Sequence, residues 1–140
     1  MTNPIYGQKV KMDQIFMSDD VIPVTWVAVK TPDTSFAAGD ILKKIIGTTK
    51  GRGFQGVVKR HGFAGGPKTH GQKNRLRAPG SSGPTAPQRV IPGRRMAGRM
   101  GSDQKTLKEI KVVEWDAEKK LLAIKGSLPG SRGSKVLIYA

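Results

Sequence analysis

Apolar residues in this chain gather in short runs toward its two ends. These runs are rich in β-branched and aromatic types and lack helical spacing. Near the start, Gln14-Ile15-Phe16-Met17 and Val21-Ile22-Pro23-Val24-Thr25-Trp26-Val27-Ala28-Val29 are separated by Ser18-Asp19-Asp20, short polar residues that tolerate a tight turn, and the pattern predicts a hairpin. Pro23 lacks a backbone donor, so it is expected at a strand edge or a bulge. Ile41-Leu42-Lys43-Lys44-Ile45-Ile46 fits either a short strand or a helical turn, and its isoleucines favour strand. Near the end, residues 110–115 and 120–125 flank Asp116-Ala117-Glu118-Lys119, a plausible connection, and residues 135–139 supply a last strand after a turn-rich stretch. Five or six strands and no helical period predict a mainly β fold, a small antiparallel barrel built from residues 1–46 and 109–140.

Residues 47–108, between these flanks, cannot build a core of their own. They hold 13 of the 18 glycines and few large aliphatic residues. Charge sharpens the division: the first 46 residues carry 5 cations and 5 acids, the last 32 carry 6 and 4, and the middle carries 14 and 1. Nearly the whole net charge of +15 therefore lies in one glycine-rich segment. A chain this cationic attracts polyanions, with nucleic acid the first choice. An anionic membrane ranks well below it, because surface binding wants a basic amphipathic helix and these cations stand among glycines and prolines. An insertion of some 60 residues is far longer than the usual connection of about 4–6. Its composition suits a loop that is disordered alone and ordered when threaded through RNA.

The remaining composition narrows the chemistry. A chain of 140 residues supports one domain with a modest core. No apolar run approaches the roughly 20 residues of a membrane span, and the start lacks the pattern of a signal peptide, so the chain reads as unexported. With no cysteine, disulfides and thiolate metal sites are excluded, and His61 and His70 alone make a zinc site improbable. Neither histidine has a serine, cysteine or carboxylate near it in sequence, since Asp103 is the sole acid of the middle segment. No catalytic residue, cofactor, metal or small-molecule substrate is expected.

The motifs of the middle segment suit phosphate and base contacts. In Gly47-Thr48-Thr49-Lys50-Gly51-Arg52-Gly53-Phe54-Gln55-Gly56-Val57-Val58-Lys59-Arg60-His61-Gly62-Phe63, glycines that permit close main-chain approach alternate with cations. Gly51, Gly53 and Gly56 have the spacing of a dinucleotide loop, but no βαβ unit surrounds them. Phe54 is expected to anchor the root of the loop beside Val57-Val58, while Phe63 is open between anchoring and stacking on a base. Lys68, His70, Lys73, Arg75 and Arg77 follow, the two arginines alternating as an extended chain would need to grip a groove. Arg89 and Gly93-Arg94-Arg95-Met96-Ala97-Gly98-Arg99-Met100-Gly101 repeat the pattern, which weakens the reading of a merely solvated charge run.

At these residues the chain resembles the bacterial-type large-subunit ribosomal protein L-three family. The run from Gly47 to Phe63 is similar to that family's signature, and Thr69-His70-Gly71, Arg77-Ala78-Pro79-Gly80-Ser81, residues 93–101 and residues 121–129 look like it in the same order. Gly7-Gln8-Lys9-Val10-Lys11-Met12-Asp13-Gln14-Ile15-Phe16 resembles its opening strand, although Lys11 and Asp13 replace the usual glycine and threonine. The resemblance implies a barrel of the translation-protein type and a long basic loop reaching through ribosomal RNA toward the peptidyl-transferase region. It further implies a structural, early-assembling and non-enzymatic protein of the cytoplasmic large subunit, or of an organellar one, with ribosomal RNA and neighbouring ribosomal proteins as partners. It puts Lys50, Arg52, Lys59, Arg60, His61, His70, Arg77, Arg94, Arg95 and Arg99 on RNA and has Met96 and Met100 packing where the loop returns, while the charge pattern of the segment adds Lys68, Lys73, Arg75 and Arg89 as RNA contacts. Only some 17 residues stand between Val29 and Gly47, where the family carries a far longer insert. Residues 82–88 depart from the glutamine-bearing tip that some members have methylated, so no modification is expected.

Two other classes share some of these features. A free nucleic-acid chaperone or DNA-binding module would share the charge without needing so long a loop. An RNA-acting enzyme would need acids, bases or metal ligands that the middle segment lacks.

Overall fold

A computed structural model describes residues 3–17, 20–32 and 34–140. Its order is β1 (Ile5–Met17), β2 (Asp20–Val29), β3 (Ile41–Thr48), β4 (Phe54–Gln55), α1 (Val57–His61), β5 (Gly98–Arg99), β6 (Gln104–Asp116), β7 (Leu121–Lys125) and β8 (Lys135–Tyr139). The protein is mainly β and antiparallel, as the runs predict, and the chain divides into one unit of residues 1–50 and 102–140 and another of residues 51–101.

In the first unit the strand pairings run β1-β2-β7-β6-β3-β8, and β8 pairs back onto β1, closing the sheet into a barrel. β1 and β2 form the expected hairpin, with Met17 opposite Asp20; Ser18 and Asp19 of its turn lie outside the described residues. Alternate residues point inward and make the core: Val27 and Val29, Leu122 and Ile124, Val136 and Ile138, with Leu42, Ile45 and Val112. The ambiguous segment at Ile41 is strand throughout, because Leu42 and Ile45 reach the core while it pairs with β6 and β8. Its inward residues are three apart, and so are Leu107 and Ile110 on β6. Glu109 between the latter adopts φ 53°, so both strands change face together and stay in register.

Pro23 lies at the end of the β2–β7 ladder, which begins at Val24. Its carbonyl accepts from the Gly126 amide at 2.8 Å, on the side where a ladder donor is no longer required. Beyond that ladder, β1 and β2 pair only with each other. Ile15 and Ile22 on one face of this ribbon pack, together with Trp26 of the ladder, against Val24, Val113 and Ala123 in a second apolar cluster, and Phe16 on the other face is 70% exposed.

The connection from β2 to β3 is short and fastened at both ends. Thr31 Oγ1 accepts from the Tyr6 amide at 2.8 Å, the Gly39 amide donates to Val112 O, and the Val112 amide donates to Asp40 O. Between these ties Phe36 packs edge-on against Trp115, ring centroids 5.3 Å apart.

Lys9 is the unexpected member of the barrel, a lysine buried on an inward position of β1. Its Nζ donates to Leu128 O at 2.9 Å and Gly130 O at 3.1 Å, tying β1 to the turns before β8. Burial, and to a smaller degree the charge of Lys50, lowers its pKa below the ordinary 10.5. Among the described residues no helix is long and apolar enough to cross a membrane.

Candidate nucleic-acid interface

Residues 51–101 hold 11 cations and both histidines without one aspartate or glutamate. Their organisation begins with a short antiparallel pair, Phe54 opposite Arg99 and Gln55 opposite Gly98, which brings the two ends of the segment together. The Arg52 amide donates to Met100 O and the Met100 amide to Gly53 O, extending that closure. α1 follows at once, buries Val57 and stops at Gly62, whose φ of 74° suits glycine and whose amide caps Val58 O. Lys59, Arg60 and His61 occupy its last turn, where positive charge is favoured. Among the described residues no parallel strand follows the helix, so the glycine spacing at Gly51, Gly53 and Gly56 does not sit in a dinucleotide-binding unit.

A second closure lies between Phe63 and Gly80. The Gly66 amide donates to Leu76 O at 3.0 Å, and the Gln72 side-chain oxygen accepts from the Arg75 and Leu76 amides at 3.0 and 2.7 Å. Gly65 and Gly66 make the crossing possible: a Cβ on them would lie 2.1 Å from Leu76 O and 2.7 Å from Arg75 O. Gln72 was not among the residues that sequence singled out, because an amide among cations carries no signal until the chain returns to it.

The expected RNA ligands divide by their surroundings. Lys50, in the other unit, and Arg52, Lys59, Lys68, His70, Lys73, Arg75, Arg77, Arg89, Arg94, Arg95 and Arg99 are exposed, while Arg60 and His61 are half-buried. Arg60 Nη1 and His61 Nε2 both reach Met96 O, at 2.7 and 3.0 Å. A carbonyl only accepts, so Nε2 of His61 carries the proton. Gly98 leaves room for this, since a Cβ there would meet Arg60 Nη1 at 2.7 Å. These two residues hold α1 to the returning chain, and Arg60 keeps spare donors for an outside acceptor. Arg94 donates to Ser81 O. With no carboxylate in the segment, none of its cations has an internal ion-pair partner.

Of the two aromatic residues, Phe54 departs from expectation. Phe54, expected to anchor the root, is 76% exposed, because the β4–β5 pair leaves its ring unpacked while Val57 takes the buried position. Phe63 is half-buried, its ring centroid 6.0 Å from that of His61, and it lines a groove of about 390 Å³. Arg77, Arg94, Arg95 and Met96 line the same groove, whose walls are mostly apolar. A neighbouring groove of about 520 Å³ shares Phe63 and includes Gln72 and Arg75. Such a segment can grip phosphates at many points and accept a flat apolar group at one.

Residues 12–128 match the family model described as Ribosomal protein L3. Proteins called large ribosomal subunit protein uL3 from Bacillus mycoides (strain KBAB4) and Bacillus cereus (strain G9842) are each 50% identical to this chain over 103 residues, covering 74% of it and 48% of the relative. The protein of that name from Bacillus thuringiensis (strain Al Hakam) is 48% identical with the same coverage. The chain spans about half the length of the curated relatives it matches.

Proposed function

The chain belongs to the ribosomal protein L3 family, and from that membership we propose that it is a structural, non-enzymatic constituent of the large ribosomal subunit that binds ribosomal RNA directly. Residues 51–101, together with Lys50 just before them, are the RNA-binding part. They thread between RNA elements, become fully ordered there, help to nucleate subunit assembly and support the peptidyl-transferase region. The barrel, of the translation-protein type, carries them in the cytoplasmic ribosome among neighbouring large-subunit proteins. The observation behind this reading is the pairing of 11 cations with no acid on one segment. That charge needs a polyanion, and fixed closures at 52–55 with 98–100 and at 65–76 suit a shaped partner better than a random one.

Lys50, Arg52, Lys59, Lys68, Lys73, Arg75, Arg77, Arg89, Arg94, Arg95 and Arg99 neutralise phosphates. Arg60, His61 and His70 supply hydrogen bonds, those of Arg60 and His61 subordinate to holding Met96. Binding is tested by sedimenting the protein with large subunits through sucrose at moderate and at high salt. Retention through the high-salt wash is the expected result. Release into the free fractions, or equal affinity for DNA of the same length, would replace the ribosomal reading with a general nucleic-acid binder.

A further inference from the structure

The groove beside Phe63 has features that phosphate binding does not require. Its volume of about 390 Å³ falls within the roughly 300–1,000 Å³ of small-ligand sites, and mostly apolar walls are unsuited to a phosphate alone. Phe63 and Met96 offer a ring and a polarizable side chain to a flat group, while Arg77, Arg94 and Arg95 line the same groove. No carboxylate in residues 51–101 can satisfy those guanidiniums, and Arg94 spends only part of its five donors on Ser81 O.

Gly56, also on this groove, supplies an independent observation. Its φ of −69° and ψ of 166° are open to any residue, and a Cβ built on it meets nothing within 4 Å. Packing within the protein does not ask for glycine there, and as the N-cap of α1 the position would take threonine or serine as well. An outside group that comes close to the main chain would ask for glycine.

We propose that this groove holds one unpaired nucleotide of RNA, its base against Phe63 and Met96 and its phosphate on the arginines. The proposal rests on the RNA-binding reading and adds to it a base-sized subsite, which a duplex, with its bases stacked inside, cannot fill.

The test uses the full chain and four probes: large-subunit ribosomal RNA, a single-stranded RNA 12-mer, a 12-mer of equal charge with its bases replaced by abasic sites, and free AMP as a competitor. The protein should bind the base-bearing strand roughly five- to hundredfold more tightly than the abasic one, equivalent to about 1–3 kcal/mol for one stacked base. Gly56→Thr, which keeps a residue suited to the N-cap, should erase that preference while leaving affinity for the abasic strand and thermal melting unchanged. If Gly56→Thr melts early, Phe63→Leu takes its place, with the same loss of preference expected. Equal affinity of the wild type for the two strands would overturn the subsite, and continued binding of ribosomal RNA would then leave the broader reading standing. A preference that survives both substitutions would place the base elsewhere. Competition by free AMP as strong as by the strand would make the groove a mononucleotide site and overturn the proposal equally.

Discussion

Burial takes the Lys9 ammonium out of water, and the carbonyls of Leu128 and Gly130 replace part of that hydration. Lys9→Met fills similar space but leaves both oxygens without this donor, so it should destabilise the barrel by about 1–3 kcal/mol at neutral pH. The pH dependence has a definite sign. With the folded pKa below the ordinary 10.5, the unfolded chain binds more protons in the interval up to that value, and wild-type stability rises with pH there. Denaturant melts at pH 7 and pH 10 should show the gap between the two proteins widening; a constant gap would mean that Lys9 titrates as it does in water. Gly7 is a simpler residue-scale case, since a Cβ there would lie 2.6 Å from Val27 Cγ1 and 3.2 Å from Val136 Cγ2. Gly7→Ala should cost about 1–3 kcal/mol by overpacking, readable in a thermal melt.

Among the elements, the closure at 65–76 depends on main chain crossing main chain. Gly65→Ala would set a Cβ 2.1 Å from Leu76 O, at a position whose φ of 78° already disfavours alanine. We expect the Gly66 amide to lose its hydrogen-exchange protection in that variant while the amides of β3 and β6 keep theirs. How far such elements could be read beforehand depends on where their partners lie. Strands β2, β7 and β8 declare themselves through dense apolar runs, and the turn after Asp116 through its short polar stretch, where the Lys119 amide donates to Asp116 Oδ1 at 3.0 Å. The first half of β6 does not, because Gln104, Lys105, Thr106 and Lys108 are polar and become strand only by pairing with β3. β4, α1 and β5 are too short for any period to show, and they exist because distant residues meet. The cations of the interface were legible as a set. That Arg60 and His61 turn inward to Met96 was not, because nothing in their own neighbourhood names a carbonyl 36 and 35 residues away.

For the molecule as a whole, charge is divided unevenly: all ten acids lie in the unit of residues 1–50 and 102–140. If about eight cations of the other unit meet phosphates, log K for RNA should fall with log salt at a slope of roughly −6 to −7. Replacing Arg94, Arg95 and Arg99 together by Ala should make that slope shallower by about 2–3 while leaving the barrel's melting unchanged. A flat salt response in the wild type would remove the electrostatic basis of binding. The aligned part of the chain spans only about half the length of the matched relatives, and the fastened connection between β2 and β3 offers one place where length can change freely. Because Tyr6 secures its entry and Val112 its exit, the barrel senses little of what is spliced between them before Phe36. Loop entropy grows only with the logarithm of length, so about 40 flexible residues grafted after Thr34 should cost only about 1–2 kcal/mol. That seam makes the barrel a chassis, able to gain or shed cargo without renegotiating its own fold.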